Sequence, residues 1–386
     1  MTQTILYLNN TDPEDGGGGD RRLFDEATVI ADSGADVRII ASRTDPTLPA
    51  KREVDGVSIR TIKCVPDALS RFTTLYFYLS RSLFPFVSFP LLLWIMWTDE
   101  IDVIVDSYTP HPTLVAPVAR VFSIPVVALV HEFHDRSALS KYPLPIGVIQ
   151  LIVQNLLRSG LYSAVVVPRE LTKQELHEYG VTTQIHVVPN GINYESYCTS
   201  PDDVDAKQYD LLVVSRLVHR KGIDLLLEAM ENVVDERPET TLAIAGTGPR
   251  QRALERKAEE NGISENVDFL GFVSEQRKIG LLHEARIFVL PSRQEGFGIA
   301  VLEAMATETP VVVNDLRILR ALVPDDESCF VDATDAEVFA DTLVTLLDQP
   351  DASLQELGTK NQNRAVDFTL QQVGKTAKQV YSVVDD

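Results

Sequence analysis

The chain has 386 residues, 45% of them hydrophobic, and carries 35 basic against 56 acidic side chains for a formal net charge of −21. That length supports two to three domains of ordinary size around well-filled cores. The acidic excess argues against a nucleic-acid partner, because no net-basic face is evident to neutralise phosphates, and it suits a protein kept soluble in a saline cytoplasm.

Met1-Thr2-Gln3-Thr4 runs straight into a strand over Thr4–Leu8, without the basic region of a signal peptide, so a cytoplasmic location is expected. Cys64, Cys198 and Cys329 lie far apart with no CxxC pair, which fits a reducing compartment and neither a disulfide framework nor a zinc site. After the first strand, Gly16-Gly17-Gly18-Gly19 opens a helix over about Asp20–Ser33, closed by Gly34. A glycine turn at a helix amino terminus is a phosphate cradle, and equally a plain flexible turn. It is not GxGxxG in register, and Asp36 precedes the second strand, Val37–Ala41, where a ribose-binding acid would end it.

Leu83 to Trp97 is apolar and aromatic, but its fifteen residues are fewer than a spanning helix needs and Pro85 and Pro90 interrupt it. Two readings fit: a buried helix pair, or a greasy surface making peripheral contact with a membrane or a lipid acceptor. Strands follow at Asp102–Asp106, Pro125–Val130 and Ala164–Val167, in the βαβ rhythm of a parallel sheet. His131-Glu132-Phe133-His134 follows the second of these strands, which places His131 to bond a substrate hydroxyl or phosphate. HExxH would need histidine at Asp135, so zinc is a poor reading.

Thr199 to Asp205, rich in Pro and Asp with no apolar period, reads as a linker. Asp203-Val204-Asp205 within it matches a metal-binding DxD only superficially, since it is not at a strand end. A second series of strands runs Asp210–Ser215, Thr241–Ala245, Val267–Leu270, Ile287–Leu290 and Val311–Val313. The first delivers Arg216 and then Lys221-Gly222 at a helix start, two cations suited to a diphosphate leaving group. Gly246-Thr247-Gly248 and Gly271-Phe272 follow the next two strands, where backbone could approach a base or phosphate.

The most informative run is Glu295-Gly296-Phe297-Gly298-Ile299-Ala300-Val301-Leu302-Glu303. Glu295 sits in a loop at a strand's carboxyl end and Glu303 about two turns into the next helix. Glycines and a helix amino terminus beside two carboxylates can hold a phosphate and neutral hydroxyls together. A nucleotide sugar needs that combination.

With Gly16-Gly17, His131, Val188-Pro189-Asn190-Gly191-Ile192, Arg216, Lys221-Gly222, Ala245-Gly246-Thr247-Gly248, Leu270-Gly271-Phe272-Val273 and Glu295/Glu303, the chain resembles glycosyltransferase family 4 over nearly its whole length. These are retaining enzymes of the GT-B fold, an α/β architecture of two Rossmann-like doubly wound domains facing a central cleft. The resemblance implies an acceptor-side domain over 1–198, a nucleotide-sugar domain over 199–369, and a final helix at about 370–386 that packs back onto the first. It implies that Glu303 binds the donor ribose, that Arg216 and Lys221 hold the diphosphate, and that Glu295, Gly296, Phe297 and Gly298 surround the transferred sugar, with Ile299, Gly248 and Phe272 also lining the donor. His131 would lie near the reacting sugar, and Gly17 would approach phosphate or acceptor. Transfer in the family is viewed as front-face, with the leaving phosphate helping to deprotonate the acceptor, and needs no metal or other cofactor.

The implied partners are a UDP- or GDP-sugar and a glycan acceptor, possibly lipid-linked, with the enzyme in the cytoplasm, possibly at the inner face of the membrane. Two departures stand out. Leu316-Arg317-Ile318-Leu319-Arg320 replaces a Gly-Gly turn followed by glutamate, and Asp325-Asp326-Glu327-Ser328-Cys329 replaces an Asp-Gly-x-x-Gly turn. A nucleotide-sugar epimerase of the same fold and a non-catalytic sugar-nucleotide binder remain as alternatives, whereas a nicotinamide oxidoreductase lacks its fingerprint.

Overall fold

The computed structural model describes residues 2–13, 18–108, 113–131, 133, 154–200, 207–324 and 329–385. Gly16, Gly17, Glu132, His134, the Asp203/Asp205 pair and Asp325–Ser328 therefore lie outside the described residues, as does most of the expected linker. The chain forms two compact units, one of Met1–Gly191 with Leu370–Asp386, the other of Ile192–Thr369.

The first unit holds an eight-stranded sheet. Its strands are β1 (Thr4–Asn9), β2 (Asp36–Ser42), β3 (Lys51–Val54), β4 (Val57–Ile62), β5 (Val103–Ser107), β6 (Val126–Leu129), β7 (Ala164–Val167) and β8 (Ile185–Val187). Their order is β3-β4-β2-β1-β5-β6-β7-β8, and every pair is parallel except β3 with β4. The apolar, β-branched runs read from sequence form the central strands because both faces of a parallel sheet are covered. The β3–β4 hairpin escapes that reading: β3 is Lys-Arg-Glu-Val, a charged edge strand of the kind that resists edge pairing. Its turn, Asp55-Gly56, has φ values of +48° and +75°, a two-residue hairpin connection.

The helices Gly18–Asp32 and Leu370–Asp385 lie against each other on this sheet. Gly374 makes that approach possible, since a Cβ there would sit 2.4 Å from Val29 Cγ1. Beneath them Tyr7 donates to Glu26 Oε1 at 3.0 Å, Tyr381 donates to the same oxygen, and the two rings meet edge-on at 6.3 Å. Arg22, also buried, donates to the Val188 carbonyl at 2.6 Å.

The apolar segment at 83–97 falls in two helices, Thr73–Val87 and Phe89–Thr98, bent by 44° between them. The segment is covered on one side and open on the other. Tyr76, Phe84, Leu92, Ile95 and Met96 are buried, while Tyr78, Phe86, Trp94 and Trp97 are exposed, Trp97 by 77%. Among the described residues no single helix is long and apolar enough to cross a membrane.

The second unit holds six parallel strands, β9 (Tyr209–Val214), β10 (Leu242–Ala245), β11 (Val267–Gly271), β12 (Ala285–Leu290), β13 (Val311–Asn314) and β14 (Phe330–Val331). The order is β11-β10-β9-β12-β13-β14. The chain reverses direction of travel across the sheet after β11, so the carboxyl ends of β9 and β12 flank a switch point, where open α/β sheets bind ligands.

Candidate active site

Three loops meet at the carboxyl edge of the second sheet. The loop after β9 carries Arg216 and a tight turn, His219–Lys221, and leads into the helix Ile223–Glu236 through Gly222. Gly222 has φ +68°, and a Cβ there would stand 2.0 Å from the Pro291 carbonyl oxygen after β12. Gly248, after β10, is just as constrained, with the Leu217 carbonyl oxygen 2.4 Å from where its Cβ would be. Backbone bonds fix the same contacts: Leu217 N–H donates to Thr247 at 2.9 Å, and Arg293 N–H to Arg220 at 2.8 Å. These glycines therefore hold the loops of β9, β10 and β12 at van der Waals contact or closer than any side chain allows.

This packing joins two predicted site residues directly. Lys221 Nζ donates to Glu295 Oε1, and Ser292 Oγ donates to the same oxygen at 2.9 Å. Asn314, at the end of β13, holds the Ser292 carbonyl at 2.9 Å and so steadies that loop from behind. Beside them Arg293 grips Asp224 with two bonds of 2.7 and 3.0 Å. Burial opposes ionisation of Asp224, but the Arg293 bonds and charge outweigh it and hold the carboxyl below its usual value. Arg216 is exposed and carries no ion pair among the described residues. It and Lys221 place cationic groups on one loop, the arrangement a diphosphate requires.

Gly298, at φ +97°, opens the helix Ile299–Ala306, and Glu303 lies in that helix, largely buried. Its Oε1 accepts from Lys278 Nζ at 2.8 Å and from the Tyr197 hydroxyl at 3.0 Å. Burial pushes its carboxyl up, Lys278 pulls it down, and Glu275 nearby raises it again, with a net rise. Phe297 is half-buried and meets Phe368 edge-on at 6.2 Å. Ile299 is half-buried at the helix start, Gly296 sits in the loop, and Phe272, after β11, is 84% exposed.

In the first unit His131 follows β6 and its ring packs on Gly19, where an added Cβ would lie 3.2 Å away. Asn9, at the end of β1, donates to Asp20 Oδ1 at 2.8 Å on the same edge. Gly17 lies outside the described residues.

The structure thus groups Arg216, Lys221, Glu295, Gly248 and Glu303 on the edge of one sheet and His131 with Gly19 on the other. It adds Tyr197, Lys278, Glu275, Ser292, Asp224 and Arg293, none of which stood out in the sequence. Only Arg293 carried a usable signal, as a cation two residues before Glu295. Among the described residues no group of three or more His, Cys, Asp or Glu side chains could hold a metal ion.

Comparison with known proteins matches residues 16–196 to the family described as Glycosyltransferase Family 4 and residues 201–364 to Glycosyl transferases group 1. The chain is 26% identical over 380 residues to a glycogen synthase of Mycobacterium tuberculosis, covering 95% of this chain and 91% of that one. It is 33% identical over 180 residues to a GDP-mannose-dependent monoacylated alpha-(1-6)-phosphatidylinositol monomannoside mannosyltransferase of Corynebacterium glutamicum, covering 42% of this chain and 47% of the relative. Among solved structures, sucrose-phosphate synthase from Thermosynechococcus elongatus superposes with a TM-score of 0.75 at 19% identity, covering 99% of both chains. Anabaena Alr3699/HepE in complex with UDP-glucose gives 0.71 at 17% identity, covering 98% of this chain and 99% of the other.

Proposed function

We propose that this chain, which belongs to the glycosyltransferases of the GT-B fold, moves a hexosyl unit from a UDP- or GDP-sugar to a glycan or lipid-linked acceptor with retention, using neither a metal ion nor another cofactor. The observation that carries the reading is the convergence of Arg216, Lys221 and Glu295 on loops at one sheet edge, with Glu303 in the helix that follows. Sequence relatives named as GDP-mannose-dependent and a fold neighbour solved with UDP-glucose are consistent with a nucleotide-sugar donor.

In this account Arg216 and Lys221 bind the diphosphate and stabilise the charge it gains as it leaves. The bond from the sugar C1 to the phosphate oxygen breaks, its electron pair leaving with the nucleoside diphosphate. The acceptor oxygen bonds C1 from the same face, and its proton passes to the departing phosphate. Glu303 accepts the ribose hydroxyls, and Glu295 with the Gly296–Ile299 backbone holds the sugar. Gly248 and Phe272 line the nucleotide.

The exposed aromatic side chains of Phe86, Trp94 and Trp97 favour a lipid-linked acceptor met at a membrane surface, since Trp and Tyr rings settle at the headgroup level. Relatives named for phosphatidylinositol mannosides and monoglucosyldiacylglycerol point the same way.

The test is release of free nucleoside diphosphate from UDP-glucose or GDP-mannose in EDTA, with detergent-dispersed phosphatidylinositol and diacylglycerol as acceptors. Acceptor-dependent release with an α-linked product from the α-linked donor is expected. An inverted product, or an epimerised donor with no nucleotide released, would overturn it.

A further inference from the structure

We propose that Lys278 is the positioning residue of the donor site: with Tyr197 it occupies Oε1 of Glu303 and keeps that carboxylate an acceptor, leaving Oε2 to take the ribose hydroxyls. This rests on the reading of Glu303 as the ribose-binding residue.

The geometry is that of four groups with too few protons. Lys278 Nζ lies 2.8 Å from Glu303 Oε1 and 3.1 Å from Glu275 Oε2, and 5.4 Å above the Tyr197 ring. The Tyr197 hydroxyl contacts both Glu275 Oε1 and Glu303 Oε1. A phenol has one proton, so it satisfies one carboxylate and leaves the other facing an oxygen. A proton on one of the two carboxyls would relieve that contact, and Glu303, the more buried, would take it at the greater gain. A protonated Glu303 has lost part of its capacity to accept from ribose. The Lys278 charge is what opposes this.

Among the described residues no other cation is paired with Glu303. The helix Glu275–Glu284 supplies Lys278, Glu275 and, further along, His283, whose ring meets the Tyr197 backbone carbonyl at 2.8 Å. The helix Tyr194–Cys198 supplies Tyr197. The helix Asp351–Ala365, packed on the helix of Glu303, brings Thr359 to Glu308 and Gln362 to the Ala306 carbonyl. Strand β12 carries one cation, Arg286, which pairs with Asp210 and Asp351, and the other side chains of β12 and β13 are buried and apolar apart from Asn314. Among the described residues, then, Lys278 is the one cation at Glu303.

The experiment titrates the full chain with UDP and with GDP at pH 6, 7, 8 and 9. Lys278→Met should weaken nucleotide binding about tenfold at pH 6 and 7 and recover most of that by pH 9, as removal of one charge-assisted contact predicts. Lys278→Arg should stay near wild type, and Glu275→Gln should hold wild-type affinity to lower pH. A loss in Lys278→Met that is equal at every pH would reduce Lys278 to packing and overturn the proposal, as would wild-type binding at pH 6. If Lys278→Met does not fold, the Glu275→Gln profile decides, and an unshifted profile there also overturns it. Glu303→Ala separates the two layers: if it binds nucleotide like wild type, the ribose assignment itself falls and the proposal with it.

Discussion

Lys221 and Glu295, 74 residues apart in sequence, are hydrogen-bonded to each other at the carboxyl edge of the second sheet. One is the cation assigned to the leaving diphosphate, the other the carboxylate assigned to the transferred sugar. In the proposed donor site this bond links the group assigned to the sugar with the group assigned to the diphosphate. Replacing either side chain should therefore disturb its partner as well as the ligand.

Lys221→Ala should lower kcat by about 100- to 1000-fold, the cost of removing one preorganised group from developing charge. It also strands a nearly buried Glu295, so the variant should be about 1–3 kcal/mol less stable to urea. Glu295→Gln keeps the shape and should spare nucleotide affinity while cutting turnover. Steady-state kinetics and urea unfolding of the two variants check this, and wild-type turnover in Lys221→Ala would place the diphosphate elsewhere.

Gly222→Ala should fail for steric reasons alone. Its Cβ would fall 2.0 Å from the Pro291 carbonyl, at a φ of +68° that L-residues rarely adopt. A loss of about 2 kcal/mol or more is expected, together with displacement of Lys221 beside it. Equal unfolding midpoints for variant and wild type would contradict the close approach.

Asp106 gives the first unit a pH dependence. It is buried at the end of β5 and accepts from Thr113 Oγ1 at 2.8 Å and Tyr162 at 3.4 Å, yet burial outweighs these bonds and pushes its carboxyl up to about 7. Between its ordinary range and about 7 the folded protein holds a proton that the unfolded chain has lost. Its contribution is thus complete at low pH and is lost as pH rises through about 7, worth at most about 4 kcal/mol at ~1.36 kcal/mol per pH unit. Asp106→Asn should flatten the fall in unfolding free energy between about pH 4 and about pH 7, measured in urea. An unchanged fall would show that other groups carry it.

The exposed aromatic side chains of the helices Thr73–Val87 and Phe89–Thr98 predict membrane partition. Phe86→Ser with Trp97→Ser removes two of their largest apolar surfaces and should weaken binding to phosphatidylcholine vesicles about tenfold or more in a sedimentation assay. Equal partition of variant and wild type would leave these side chains without that role.

Much of the fold was legible because both sheets are largely parallel and buried, so each central strand is an unbroken apolar run such as Ala164–Val167 or Val311–Asn314. The charged edge strand Lys51–Val54 and the two-residue β14 lack that signature, and neither was read from the sequence. The 83–97 segment is hydrophobic nearly all round, so its pattern could not tell which face is covered. In the candidate site, glycines and paired glutamates at fixed spacing were readable because backbone approach and helix position constrain them. Tyr197 and Lys278 were not, since they reach Glu303 from two separate helices and share no spacing with it.

The most direct test of the account is calorimetric titration with UDP- and GDP-sugars, run in molar salt to screen the net charge of −21. Saturable binding of one nucleotide family by the wild type, abolished in Glu303→Ala, is the predicted result. A folded wild type that binds neither, or a Glu303→Ala variant that binds as tightly as wild type, would contradict the donor site described for the second unit.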